Sequence, residues 1–328
     1  MRVSVCIPVY NRSIQVLDAI QSALDQTIDG LDVLVIDNCS DDGTWQAICA
    51  IQDPRLRVMR NECNLGLFGN FNRCGELASG RYVLFLCSDD RLAPGFLATA
   101  VAAMEREPRA ALLSSRGQMT APDGQLLGRT GSLFPSGLYD GASVTPAWFW
   151  VALHYGSNPL NYPSGILIRR DALRAALPFR AELGAPADVD LFLRCLRHGN
   201  LIVLDDIGCF ITHHSEQEGL IVLKREPYAR YLIGLVKAFR PDLEAAGLYH
   251  ALLRQTGASA LGSIVRAGRN GPGIAELARS FELTWHTILI AAVRRLVLQA
   301  IKSVLQVQFT PYLRPAMPAN QAKTVDNP

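Results

Sequence analysis

The chain has 328 residues, a formal net charge of +2 and a hydrophobic fraction of 49%. That length buries a substantial core and allows one large domain with a helical addition, or two modest domains. A near-neutral balance excludes the broad basic excess that marks nucleic acid as a primary partner, so no nucleic acid is expected. The eight cysteines, Cys6, Cys39, Cys49, Cys63, Cys74, Cys87, Cys195 and Cys209, form no Cys-x-x-Cys pair and no zinc spacing, and read as small buried hydrophobes of a reducing compartment.

The start, Met1-Arg2-Val3-Ser4-Val5-Cys6-Ile7-Pro8, enters a strand at once, without the charged head, apolar stretch and cleavage site of a secretory signal. A cytoplasmic chain is the expectation. Through the first hundred residues, short β-branched runs alternate with helical patterns, as in β-α-β units. The runs predict strands over Val3 to Pro8, Leu31 to Asp37, Leu56 to Arg60, Tyr82 to Ser88 and Ala111 to Ser115. Apolar spacing predicts helices over Ser13 to Gln26, Thr44 to Ile51, Phe68 to Ala78 and Pro94 to Arg106, with Pro94 in a first-turn position.

From Gln118 to about Ser143 the chain turns rich in Gly, Pro, Ser and Thr, and Pro122-Asp123-Gly124 predicts a turn between short antiparallel strands. A second ordered stretch follows: a strand from Ser164 to Ile168, a helix from Asp188 to His198 and a strand from Leu201 to Leu204. From Lys224 onward the pattern is helical, broken at Pro241 and at Gly268 to Gly273, and the polar tail after Pro315 reads as disordered. The apolar stretch Trp285 to Val307 carries only Arg294, Arg295 and Lys302 as charges. It suits three roles equally: a helix in a membrane interface, which would bring the chain to the inner face of the membrane, a helix packed on the sheet, or a homodimer contact.

Two predicted strands run straight into carboxylates, one at Asp37 and one at Asp89 and Asp90. Ligands of an open parallel sheet sit beyond the carboxyl ends of its strands, so Asp37 and Asp89 should share one crevice. Carboxylates repel a bare phosphate. A nucleoside diphosphate in that crevice therefore needs a divalent cation between the two, held by hard oxygen ligands.

The ordered series Pro8-Val9-Tyr10-Asn11, Val35-Ile36-Asp37-Asn38-Cys39-Ser40-Asp41-Asp42-Gly43-Thr44, Asn64-Leu65-Gly66 and Phe85-Leu86-Cys87-Ser88-Asp89-Asp90 resembles the nucleotide-sugar-binding half of family-2 glycosyltransferases, the inverting group of GT-A fold that builds polysaccharides and glycolipids. The resemblance implies an α/β fold with a mainly parallel central sheet flanked by helices. It covers about residues 1–220, with 1–115 as the nucleotide-sugar half and 116–220 as the acceptor side. Residues 221–315 form a helical extension, and 316–328 the tail.

The resemblance further implies a nucleotide-diphospho-sugar donor, a glycan or lipid-linked acceptor, and Mn2+ or Mg2+ as cofactor. It places the base and ribose at Pro8, Tyr10, Asn11 and Asp37, with Asn64, Gly66, Ser88 and Asp90 also on the donor. Asp37 could equally begin an Asx turn with Asn38 and Ser40, and Asp90 could cap the helix near Pro94. The family's Asp-x-Asp motif falls on Cys87-Ser88-Asp89, so the first acid is replaced by a thiol and Asp89 is the metal position. In Ala187-Asp188-Val189-Asp190, Asp188 matches the catalytic base and Ala187 replaces the preceding acid. His214, in His213-His214-Ser215-Glu216-Gln217, matches a histidine of the metal shell. Arg73 stands one step from the family's Arg-Asn pair, replaced here by Phe71-Asn72, and reads as a surface or structural residue. Trp148, Trp150 and Tyr155 are candidate sugar-stacking faces or packing residues.

Two other classes compete. A sugar-nucleotide pyrophosphorylase would open with a Gly-rich loop carrying Arg and Lys, which Pro8-Val9-Tyr10-Asn11-Arg12 is not. A degenerate glycan-binding or scaffold protein is suggested by Cys87 and Ala187 where acids are expected.

Overall fold

The computed structural model describes residues 2–155, 158–184, 186–214, 228–253 and 256. The stretch Trp285 to Val307, the tail, Gln217 and the side chain of Tyr155 lie outside the described residues. A ten-stranded sheet organises the molecule, in the order β3-β2-β1-β4-β9-β6-β10-β5, with β7 paired to β6 and β8 to β10. These strands are β1 (Val3–Val9), β2 (Leu31–Asp37), β3 (Leu56–Arg60), β4 (Tyr82–Phe85), β5 (Arg91–Leu92), β6 (Ala110–Thr120), β7 (Leu126–Gly131), β8 (Gly137–Tyr139), β9 (Ile166–Arg169) and β10 (Asn200–Thr212). The first four strands in spatial order are parallel. β9 then enters antiparallel to both β4 and β6, and β10 returns parallel to β6. One sheet therefore runs through both of the halves expected from the sequence.

Every residue of β1 and β2 is buried, the near-continuous apolar pattern of strands covered on both faces. Alternate side chains feed two different cores. Val3, Val5, Ile7 and Val9 pack with α1 (Gln15–Leu24), α2 (Thr44–Cys49) and α4 (Phe96–Arg106). Cys6, Leu34 and Ile36 face α3 (Leu67–Leu77), α5 (Gly141–Tyr155), α6 (Arg170–Ala176) and α7 (Ala187–Cys195). Leu235, Val236 and Leu243, from α8 (Tyr228–Ala238) and α9 (Arg240–Ala245), join that second core. The described start of the helical extension is thus seated on the sheet domain. No helix among the described residues is long and apolar enough to cross a membrane.

Several boundaries differ from expectation for local reasons. The β4 strand stops at Phe85 instead of Ser88: Leu86 N–H still reaches Cys6 O at 2.8 Å, but Asp90 N–H then closes a turn on Cys87 O at 3.0 Å. Residues 87–90 leave the ladder for the sheet edge. Pro94 is not in the first helical turn, because Gly95, at φ +71°, is the residue before the helix, which begins at Phe96. The strand expected over Leu201 to Leu204 continues to Thr212, with a register shift between Val203 and Ile207 that takes up the polar Asp205-Asp206 pair. Likewise, β6 runs from Ala110 to Thr120 because it is paired on both sides, and its hairpin to β7 turns where expected, with Gly124 at φ +88°.

The orientation of α7 is set by Asp190. Its carboxylate is fully buried and binds Arg194 through Nε (2.9 Å) and Nη2 (2.7 Å), and Arg180 through Nε (2.9 Å) and Nη2. Asp188, two residues earlier in the same helix, is left free of that network. Replacing Asp190 with Ala strands two guanidiniums around an empty site and should lower unfolding free energy by about 3 kcal/mol; chemical denaturation of the purified variant measures it.

Candidate functional site

The parallel run of β2, β1 and β4 brings their carboxyl ends to one edge of the sheet. Asp37 ends β2 opposite Val9 in β1, and Leu86, just beyond β4, hydrogen-bonds Cys6 in β1. Asp37 and the Asp89 segment therefore stand at the same edge of the sheet.

On the β1 and β2 side, polar side chains hold two loops together. Asn11, in a left-handed conformation (φ +50°), donates its backbone N–H to Ser40 Oγ at 2.9 Å and its side-chain amide to Asp41 Oδ1 at 2.9 Å. Asn38 Nδ2 donates to Asn64 Oδ1 at 2.8 Å and Gly66 O at 3.2 Å, while its Oδ1 accepts from Asn61 Nδ2 (2.8 Å) and Leu65 N–H (2.9 Å). Gly66 takes φ +74° with ψ 171°, a conformation costly for any residue that bears a side chain. Cys39 takes φ +65°, a local strain of the sort found at ligand-facing turns.

Asp37 itself has no exposed surface. It accepts Ser40 N–H at 3.3 Å on each oxygen, so the turn-forming role is real, and it pairs with Arg60 Nε at 3.1 Å. Arg60 also donates to Ser40 O at 2.7 Å and lies 5.6 Å from the centre of the Trp45 ring. Sequence reading saw Arg60 only as a strand end. A cation closing the strand next to β2's terminal acid was the available signal. Pro8 is buried within β1, whereas Tyr10 is 45% exposed beyond it.

On the β4 side, Asp90 is buried and tightly held. Ser164 Oγ donates to its Oδ2 at 2.6 Å, Thr212 N–H to its Oδ1 at 3.1 Å, and the Cys87 thiol adds a further hydrogen bond. Burial first, and then the charge of Asp89, push its carboxyl well above the ordinary carboxylate range. Asp90 is not a helix cap, since Gly95 holds that position without any side-chain bond. Burial also raises the Cys87 thiol well above its usual value, with the charges of Asp90 and Asp89 adding to the effect. A thiol kept protonated in this way is a poor ligand for a hard cation.

Asp89 Oδ2 lies 2.9 Å from His214 Nε2, with both side chains largely covered. Atoms of Cys87, Asp89 and Asp90 capable of metal ligation lie within 4.8 Å of one another. With Asp90 occupied by its own partners and Cys87 protonated, one carboxylate oxygen and one imidazole nitrogen remain. Asp89 and His214 offer oxygen and imidazole donors that would suit a Mn2+-like ion, which would supply positive charge beside a diphosphate. Ser88 stays partly exposed beside them.

Asp188 lies near this cluster. Its Oδ1 accepts Val189 N–H at 2.7 Å, and its charge is felt at both Cys87 and Tyr162. Burial lifts its carboxyl from 3.8 to about 6, opposed only by backbone hydrogen bonds. Asp188 and Asp190 thus differ completely: one is a carboxylate with a raised proton affinity at the crevice, the other is neutralised inside the fold. Trp148 is fully buried, with Nε1 on Asn158 Oδ1 at 2.8 Å, so it packs and cannot stack on a sugar.

Residues 4–131 match the family described as Glycosyl transferase family 2. The uncharacterized protein MT1568 of Mycobacterium tuberculosis is 30% identical over 215 residues, which cover 64% of this chain and 65% of that protein. The Escherichia coli protein WfaP, named UDP-Glc:alpha-D-GlcNAc-diphosphoundecaprenol beta-1,3-glucosyltransferase, is 33% identical over 105 residues, 32% of this chain and 42% of its own length. The chain thus spans less than two thirds of either relative. S. aureus TarS 1-349 in complex with UDP-GlcNAc superposes with a TM-score of 0.62 at 17% identity, covering 95% of this chain and 97% of that one. The fold is the mixed α/β sheet of GT-A glycosyltransferases.

The Arg60–Asp37 pair makes a direct forecast. Arg60→Ala leaves a carboxylate buried without its cation and should cost about 3 kcal/mol of stability, while adding Asp37→Asn should recover part of that loss. Denaturant titration of both single variants and the double variant reads the coupling.

Proposed function

With residues 4–131 belonging to glycosyl transferase family 2, we propose that the chain moves a sugar from a nucleotide-diphosphate donor to a hydroxyl of a glycan or lipid-linked acceptor, inverting the anomeric centre. The observation that carries this reading is the convergence of Asp188, with its raised proton affinity, on the crevice shared by Asp89 and His214. The relative named as a UDP-Glc glucosyltransferase supports a uridine donor and a polysaccharide-building role.

In this reading the donor base enters between Tyr10 and the loops joined by Asn11 and Asn38, over the Asp37–Arg60 pair. Asn64 and Gly66 lie at the rim, where Gly66 lets backbone approach the ligand closely. Ser88 would hydrogen-bond the ribose. Asp89 and His214 would hold the divalent cation, which neutralises charge on the departing diphosphate when bound. Asp90 acts from behind, fixing the 87–90 turn through Ser164 and Thr212. Asp188 accepts the proton of the acceptor hydroxyl as that oxygen attacks the anomeric carbon from the face opposite the leaving group. A single displacement inverts the centre. A base held near pH 6 is ionised at neutral pH, yet more basic than an ordinary carboxylate.

The test is turnover by the purified protein with Mn2+ or Mg2+ and a panel of nucleotide sugars, read as nucleoside diphosphate released and sugar transferred. Asp188→Asn should lower transfer by about 10²–10⁴-fold while diphosphate binding persists; turnover unchanged in both Asp89→Ala and Asp188→Ala proteins would overturn the assignment. In the wild type, kcat/KM for the acceptor should fall below about pH 6 as Asp188 takes up a proton.

Stability should move the opposite way. Because the folded carboxyl titrates near 6 and the unfolded one near 3.8, the native state holds more protons between these values. The favourable contribution is complete below the lower value and is lost as pH rises through the upper one. Asp188→Asn should therefore stabilise the fold by up to about 3 kcal/mol at pH 8 and much less at pH 4, as thermal melts at the two pH values will report.

A further inference from the structure

Two cysteines stand on adjoining loops beyond β2 and β3. Cys39 is half-buried in the loop after β2, and Cys63 is exposed in the loop after β3. Cys6, Cys74, Cys195 and Cys209 are buried, Cys87 belongs to the Asp89 cluster, and Cys49 is exposed at the end of α2.

The loops are fastened to each other on both sides of Cys39. Before it, Asn38 Oδ1 accepts from Asn61 Nδ2 at 2.8 Å and from Leu65 N–H at 2.9 Å, and its Nδ2 donates to Asn64 Oδ1 at 2.8 Å. After it, Ser40 O accepts from Arg60 Nη2 at 2.7 Å. Cys39 is therefore held opposite residues 61–64, and its thiol reaches Glu62 O at 3.7 Å. That carbonyl carbon is bonded to the Cys63 nitrogen. By ordinary peptide dimensions the Cys63 Cα is about 2.8 Å from that oxygen, and so no more than about 6.5 Å from the Cys39 sulfur.

The strands set a matching spacing. β2 and β3 are parallel and in register up to Asp37 and Arg60. Neighbouring strands lie about 4.8 Å apart and a disulfide joins Cα atoms about 4.4–6.8 Å apart, so loops leaving such strands side by side stand at a spacing that a disulfide can span.

We infer that Cys39 and Cys63 form a site of thiol–disulfide exchange, open to low-molecular-weight disulfides such as oxidised glutathione. Cys63, the exposed thiol, attacks as the thiolate: its sulfur bonds to one glutathione sulfur, the glutathione S–S bond breaks, and the departing thiolate takes up a proton. Cys39 then loses its proton to solvent and attacks the Cys63 sulfur, expelling the second glutathione. Two protein thiols are oxidised, and one small disulfide is reduced to two thiols. The new bond fixes the two loops in the register that Asn38 already sets, leaving them less freedom to lose when a ligand covers them. With these loops bordering the donor base, as in the transferase reading, oxidation strengthens donor binding. Only this coupling rests on that reading.

The experiment treats the full chain with oxidised glutathione, removes the excess and maps unreduced digests by mass spectrometry. Wild type should yield a peptide pair joined through Cys39 and Cys63, lighter than the two free peptides by two hydrogens and separated by dithiothreitol. Cys39→Asn, a change that suits a left-handed backbone, should instead keep glutathione on Cys63, while Cys49→Ser should still form the joined pair. By calorimetry, UDP or GDP, whichever the reduced protein binds, should bind at least about threefold tighter to oxidised wild type, with no such gain in Cys63→Ser. Glutathione left on Cys63 in wild type, no reaction at Cys63, or Cys63 joined to Cys49 overturns the site. Equal nucleotide affinity in the two forms of wild type overturns the coupling to the donor side. Absence of UDP and GDP binding in both forms removes the transferase reading, while a joined peptide pair keeps the exchange site standing.

Discussion

The buried Asp90 carboxyl is the joint on which the site depends. Its two oxygens take the Ser164 hydroxyl and the Thr212 backbone N–H, and so tie the end of β4 to the segment before β9 and to the last residue of β10. A carboxyl removed from water is costly unless its lone pairs are met. Here they are met by groups from two distant parts of the chain, Ser164 and Thr212. The cost of burial thereby becomes a constraint: the 87–90 turn, the approach to β9 and the exit of β10 hold together or not at all. Asp89 and His214, on either side of this joint, are brought into contact by it.

The side formed by β1 and β2 is built differently, from neutral amides. Asn38, Asn61, Asn64 and Asn70 bond one another or nearby backbone, and Asn70 Nδ2 reaches back to Ile36 O in β2 at 2.9 Å. Asparagine both donates and accepts, so a few such residues can satisfy loop backbone that has left the sheet ladder. Their effect is to hold two loops in fixed register beyond the strand ends. Asp37 and Arg60 also pair in this region, the carboxylate buried and the guanidinium partly exposed.

Asp188 and Asp190 show how environment decides what an acid does. Both lie in the first turn of α7 and both are largely removed from solvent. Two arginines surround Asp190 and make it a fixed ion. Among the described residues Asp188 pairs with no cation and meets only backbone N–H groups, and burial lifts its carboxyl to about 6. One carboxylate held by arginines and a neighbour left to burial are a recurrent basis for dividing structural from proton-transfer duties.

The β-α-β alternation, the helix spacings and the strand-terminal acids are local patterns, and they are legible in the order of residues alone; β2 and β3 come out with the bounds read from the sequence. Less legible was anything set by a partner far along the chain. The length of β10, interrupted in sequence by Asp205-Asp206, depends on its pairing with β6. From sequence Asp90 could be a donor contact or a helix cap, and Ser164 and Thr212 hold it instead; Trp148 could pack or face a sugar, and α5 turns it inward to pack. By itself, then, the sequence determined the kind of sheet and which acids stand at its edge, because apolar periodicity and chain direction are properties of neighbouring residues. Which acid is neutralised, which is raised in proton affinity and which aromatic stays open was decided only by tertiary structure, because burial and charge contact are summed over neighbours in space.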